Sequence, residues 1–265
     1  MTKVFNRKKN IDVRIFFITF ILVNYLLHKM RISQIEFLFK KNGGFTMELM
    51  EAIQERHSVR RFTDKPLDKN SVEILQQEIK SCNEESGFNI QLILDEPNAF
   101  QAEKATYGQF KCCKNYLAIV GPKGKDEEAG YYGEKIVLKA QTLGINSCWV
   151  ALTYKKSKAV FEKNKNEKNY ILVALGYGET KGNPHKTKTL EEVSDYKTEE
   201  PEWYKNGIES ALLAPTAMNQ QKFKFEREGE KVIAKAGIGF YTKIDLGIAK
   251  YHFEVGSEKD KSIWK

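Results

Sequence analysis

From Leu49 onward the apolar residues run twice through the same order, helix, strand, strand, helix. That order limits the folds open to this 265-residue chain more than any other feature. In the first series Leu49, Met50 and Ile53 form one helical face that ends near Arg56. Pro66 breaks the next stretch. Asn70 and Glu73 then have capping-box spacing ahead of Val72, Leu75 and Ile79 at helical intervals. Phe88, Ile90, Leu92 and Leu94 alternate as in a strand, and Tyr116 to Val120 reads as a buried strand. Ile136, Ala140 and Leu143 mark a helix ended by Gly144. Ile145 to Leu152 and Ile171 to Leu175 read as further strands. The charged segment "KKSKAVFEKNKNEKN" between them reads as a solvated helix and loop.

The second series starts after Pro201. Trp203, Ile208, Ala211 and Leu212 predict a helix cut off by Pro215. Phe223 and Phe225, a Glu228-Gly229 turn and Val232 to Ala234 predict a hairpin. Ile244, Ile248, Tyr251 and Val255 predict a last helix, ended by Gly256. "YYGEKIVLKAQTLG" near 131–144 and "FYTKIDLGIAKYHFEVG" near 240–256 hold matching places, a weak internal duplication. It implies two related halves, about 47–195 and 196–265, about a pseudo-twofold axis. Chance likeness of two amphipathic helices is the alternative.

The net charge of +8 suggests a nucleic-acid partner, but its distribution argues against one. Residues 1–46 carry nine Lys/Arg against Asp12 and Glu36, a net of +7, which leaves +1 for residues 47–265. The later residues have no general basic field for a phosphate backbone, so no nucleic acid is expected. Residues 1–46 lack Ala, Pro, Trp and Cys, and Ile15 to Leu27 is an apolar run behind a basic start. The run is short for a membrane span of about 18 residues, and no small-residue cleavage site comes after it. A membrane anchor, a disordered tail and an untranslated leader compete. The leader is favoured, because Gly43-Gly44 stands where codons of a ribosome-binding site would precede a start at Met47. No membrane is expected for 47–265.

Cys82, Cys112, Cys113 and Cys148 form no C-x-x-C pair and the four His are scattered, so no metal site is expected. Reduced core thiols in a cytoplasmic protein are the simplest expectation. Two stretches carry chemistry. "RHSVRRF" places Arg56, His57, Ser58 and Arg60 where a helix gives way to extended chain. Forked guanidinium donors there suit phosphate oxygens; a solvated basic helix end is the alternative. "LLAPTAMNQQ" has a proline, then small residues, then amides. Ala214, Thr216 and Ala217 would let a flat ring approach the backbone, and Thr216 and Asn219 could bond its polar edge. An ordinary helix-to-strand loop is the alternative.

Together the two resemble the FMN-dependent nitroreductase family. "ELMEAIQERHSVRRFTDKPL" resembles its N-terminal FMN motif, and "APTAMNQQ" its Ala-Pro-Ser/Thr-x-x-Asn-x-Gln motif. "LGINSCWVAL" resembles the segment beside the isoalloxazine ring. "LVALGYGE" resembles a strand ending in Gly-Tyr-Pro, with Gly178 where proline is usual. "HKTKTLEEV" resembles a basic stretch of the phosphate site, with Thr187 where many members have arginine. The second motif comes about 155 residues after the first rather than shortly after it. That resembles a branch with two nitroreductase-like halves in one chain.

The resemblance implies an α+β fold with a central, mainly antiparallel sheet flanked by helices. It implies non-covalent FMN, with Arg56 and Arg60 on the phosphate or the N1–C2=O side of the ring and His57 and Ser58 on ribityl and phosphate oxygens. Pro215, Thr216, Ala217 and Asn219 would face the ring from the opposite half, Trp149, Val150, Ala151 and Leu152 would border it, and Lys186 or Lys188 would add phosphate charge. Arg60 would stabilise the reduced flavin, and no side chain need act as a nucleophile. NADH or NADPH would be the donor, and a nitroaromatic, a quinone or a related small molecule the acceptor, with ping-pong kinetics. The flavin site would be complete within one chain, a monomer or weak dimer. An FMN carrier or redox sensor without turnover is one alternative; a membrane-tethered binding protein is another.

Overall fold

The computed structural model describes residues 47–101 and 108–265. Met47–Lys265 form one compact unit. The leader or anchor expected of residues 1–46, with its apolar run, lies outside the described residues.

Four antiparallel strands form the main sheet: β1 (Gln91–Ile93), β2 (Asn115–Pro122), β3 (Asn146–Val150) and β4 (Glu167–Gly176), in the order β1-β2-β4-β3. The central pair, β2 and β4, are near-continuous apolar runs because both of their faces are covered. Alternate residues go to opposite sides. Leu117, Ile119, Ile171 and Val173 join the cluster that holds Leu75, Ile79 and Ile136. Ala118, Val120, Leu172 and Ala174 join Val59, Phe62 and Phe100 on the other side.

The helices are α1 (Leu49–Glu55), α2 (Lys69–Ser86), α3 (Asp126–Thr142), α4 (Leu190–Val193), α5 (Glu202–Leu212) and α6 (Thr242–Ser257). A hairpin of β5 (Phe223–Glu228) and β6 (Lys231–Ala236) turns at Gly229, whose φ of 64° suits glycine. Backbone bridges from Ser194 to Phe225 and from Trp264 to Val232 extend the hairpin on both edges.

Helices α3 and α6 cross in direct backbone contact. A methyl group on Gly130 would overlap the carbonyl oxygen of Ile244, and one on Gly247 would overlap that of Glu127. Each glycine thus meets the residue three places before the other glycine. The contact is reciprocal.

Four expectations are corrected. Asp68, not Asn70, caps α2, accepting from the Ser71 N–H at 2.9 Å. Gly256 lies inside α6, which ends at Glu258 in the left-handed region; the glycine is needed because α5 passes against it at Ser210. Residues 155–166 hold turns and no helix, since their lysines leave no apolar face to bury. The first strand spans only Gln91–Ile93, and Leu94 is exposed.

Replacing Gly247 with alanine forces the α3–α6 backbones apart. We expect a loss of about 1–3 kcal/mol or more in urea unfolding, the usual cost of overpacking. A loss under about 0.5 kcal/mol, the range of an ordinary surface change, would contradict this crossing.

Candidate functional site

Helix α1 ends at Arg56 and the chain then runs extended along the edge of β3. The Val59 N–H donates to the Ser147 carbonyl at 3.0 Å, and Ser58 bridges Ser147 in parallel. Val59 and Phe62 are buried anchors, His57 and Arg60 are half-buried, and Ser58 is exposed. Arg61 pairs with Glu179 at 2.9 Å.

Arg56 does not occupy a solvated helix end. It is 2 % exposed, among the largest fully buried side chains. Its Nε lies 3.7 Å from Oε1 of Glu134 on α3, and its Nε and Nη1 have no hydrogen-bond partner. Burial pushes the guanidinium pKa down and the Glu134 carboxylate opposes it. Glu134 also accepts from the Trp149 indole N–H at 2.8 Å and contacts His252 Nε2 of α6 at 2.8 Å. Nδ1 of His252 faces the Ser210 carbonyl at 3.1 Å. Burial pushes the Cys148 thiol up, opposed by Arg60, then Ser58, then Arg56, so Cys148 is a core thiol within reach of both guanidinium charges.

Beyond α5, Pro215 is buried, Thr216 and Ala217 are half-buried, and Met218 and Asn219 are exposed. Met218, Asn219 and Gln221 have φ of 53°, 54° and 44°. Three such residues in one short loop store strain that its surroundings must hold. Asp245 accepts from the Ala217 N–H at 3.0 Å and from the Gln220 amide at 2.7 Å. The Gln221 N–H donates to Thr216 Oγ1 at 3.1 Å. Burial pushes Asp245 up to about 6, against the Ala217 and Gln220 bonds.

Residues 181–188 bridge the two motifs. Gly182 packs on His57 and Ser58. His185 Nε2 contacts the Leu212 carbonyl of α5 at 3.0 Å, and burial lowers its pKa, with Arg56 and His252 adding to the effect. Burial also lowers that of His57, then Arg56 does so. The Lys186 carbonyl accepts from Asn219 Nδ2 and Gln221 Nε2, each at 2.8 Å, while its side chain is exposed. The Lys188 ammonium donates to the Gln221 carbonyl at 3.0 Å, so it braces the loop.

The ring-side residues come in order: Trp149 half-buried, Val150 buried, Ala151 half-buried, Leu152 exposed beyond the strand's end. Gly178 donates its N–H to Asn146 Oδ1 at 2.9 Å, a bond that proline could not make. Glu134, His185, His252 and Asp245 were not singled out from the sequence. For Glu134, His252 and Asp245 the available signal was a polar side chain on a helical stretch; His185 lies in an irregular segment and gave none. Among the described residues no group of three or more His, Cys, Asp or Glu is placed to hold a metal ion, and no helix is long and apolar enough to cross a membrane. A cavity of about 450 Å³ bordered by Phe100, Phe110 and Cys112 includes no residue of either motif.

A mainly antiparallel sheet flanked by helices is the nitroreductase-like architecture. The family model described as "Putative TM nitroreductase" matches residues 48–257, and the chain belongs to that family. The crystal structure of a putative nitroreductase from Thermotoga maritima shares this fold at 21% identity and a TM-score of 0.58, over 80% of this chain and 84% of that one. An FMN-dependent nitroreductase from Clostridium difficile is 19% identical with a TM-score of 0.40, over 49% of this chain and 87% of its own. A nitroreductase with bound FMN from Bacteroides fragilis is 21% identical with a TM-score of 0.39, over 54% and 95%. No curated protein matches the sequence.

Asp245 gives the loop a pH signature. An acid whose folded pKa is raised binds its proton more tightly when folded. Its contribution is therefore full below the unfolded value near 4 and lost as pH rises through about 6. The loss should be on the order of 3 kcal/mol between about pH 4 and 7. Urea unfolding across that range should show a smaller slope for Asp245→Asn. An identical profile would exclude Asp245 as its source.

Proposed function

We propose that this chain is an FMN-dependent oxidoreductase of nitroreductase type, taking electrons from NADH or NADPH and passing them to small acceptors such as nitroaromatics or quinones. The observation that carries the proposal is Arg56, a buried guanidinium whose Nε and Nη1 have no hydrogen-bond partner. Buried polar groups are nearly always bonded, and an arginine fork is matched by a phosphate. The residues therefore fit FMN.

Arg56 would hold the phosphate, with His57 and Ser58 on neighbouring oxygens. Arg60 would lie near the polar end of the ring. Pro215, Thr216, Ala217 and Asn219 would press one face, and Trp149 to Leu152 would border the edge. Lys186 has the free reach to add phosphate charge; Lys188 holds the loop. When bound, FMN supplies the hydride chemistry, and this chain orients it and excludes water from its buried side. The two-halves reading is part of the proposal, and the reciprocal Gly130–Gly247 crossing supports it. Both motifs belong to one chain, and residues 181–188 hydrogen-bond or pack against each.

Purified protein reconstituted with FMN should hold one flavin per chain at every protein concentration, measured by absorbance alongside light scattering. NADH or NADPH should bleach it in stopped flow, and a quinone should restore the colour. Two flavins per chain, or flavin lost in step with dissociation of a dimer, would contradict the single-chain site. Flavin bound but unbleached by either nucleotide would contradict the enzyme and leave a carrier. Steady-state rates should give parallel double-reciprocal lines, since donor and acceptor use one site in turn; intersecting lines would contradict the shared site.

A further inference from the structure

The buried cluster around Glu134 has a proton count that its geometry fixes. His252 Nδ1 lies 3.1 Å from the Ser210 carbonyl, which can only accept, so Nδ1 carries a hydrogen. His252 Nε2 lies 2.8 Å from Glu134 Oε1. Two bare acceptors do not approach so closely, so a proton lies between them. Whether it sits on the imidazole or the carboxyl, the His252–Glu134 pair is neutral as a unit. The second carboxylate oxygen accepts the Trp149 indole N–H at 2.8 Å. Glu134 therefore does not neutralise Arg56, whose Nε stands 3.7 Å away, beyond hydrogen-bond range. The cluster keeps one uncompensated positive charge, on Arg56, with Nε and Nη1 unpartnered in the interior.

We infer that His252 is a positioning residue for anion binding: by sharing a proton with Glu134 it prevents that carboxylate from claiming Arg56, and so keeps the guanidinium available to a phosphate monoester. The inference rests on the FMN reading of the site. It reaches further, because it assigns a role in the cofactor's affinity to a residue of α6 that touches Arg56 only through Glu134.

It predicts effects of opposite sign from two neighbours. In His252→Phe the shared proton is lost, Glu134 is left as a bare carboxylate and closes on Arg56, and FMN affinity falls at least about tenfold, the scale expected when a buried ion pair is rearranged. Riboflavin, which lacks the phosphate, binds this variant as it binds the wild type. In Glu134→Gln the competing carboxylate is gone, and FMN binds as tightly as to the wild type or more tightly. His252→Gln, which donates an amide N–H without charge, repeats the direction of His252→Phe with less change of volume and serves if the phenylalanine variant does not fold.

The experiment is fluorescence titration of the wild type and the variants with FMN and with riboflavin. The expected result is a collapse of the FMN-over-riboflavin preference in the His252 variants alone. A preference that survives in both His252 variants overturns the inference and leaves the FMN reading standing. A parallel loss of both ligands in the His252 and Glu134 variants indicates packing only, and overturns it too. A wild type that does not prefer FMN over riboflavin removes the phosphate reading itself, and this inference with it.

Discussion

The constraint around which the site is built is a buried charged cluster, Arg56 beside the Glu134–His252 pair. Taking charged groups from water costs several kcal/mol per ion unless partners are arranged around them. Here the partners come from four segments: the end of α1, helix α3, strand β3 through Trp149, and helix α6 through His252. The Ser210 carbonyl near the end of α5 adds a fifth. They meet because Gly130 and Gly247 let α3 and α6 approach to backbone contact, which brings Glu134 and His252 within reach a turn further along. Gly133 in turn makes room for the Trp149 ring against α3.

The second constraint is on the loop after α5. Pro215 ends the helix, and the next residues include three non-glycine positions in the left-handed region. Such a loop persists only where its neighbours determine it. Asp245 holds it from α6, while the Lys186 carbonyl and the Lys188 ammonium hold it from the segment before α4. Backbone cost is thus met by side-chain bonds on both flanks, leaving Thr216 and Ala217 partly open.

Most elements were legible because their periodicity is strong. The apolar runs of β2 and β4, the one-sided faces of α2 and α5, and the glycine turn of the hairpin are strong local signals. The errors share a cause. Gly256 reads as a helix end, but a glycine can also be required by a helix that passes close by, and only tertiary contact distinguishes the two. Arg56 reads as surface because arginine at a helix end usually is; it is instead buried beside Glu134, 78 positions away. The two motifs were visible by type and spacing. The residues that support them, Glu134, His252 and Asp245, were not, because each is one of several polar residues on its helix and only its partner on another element sets it apart. Lys188 shows the converse. Its charge suggested an anion ligand, and its geometry makes it a brace.

A crystal structure of the protein grown with FMN is the most direct test of the Arg56 site. It should place a phosphate oxygen within about 3.2 Å of Arg56 Nε or Nη1, with Thr216 and Asn219 of the same molecule against the isoalloxazine ring. A phosphate bound away from Arg56, or a ring covered by the Pro215 loop of a second molecule, would contradict it.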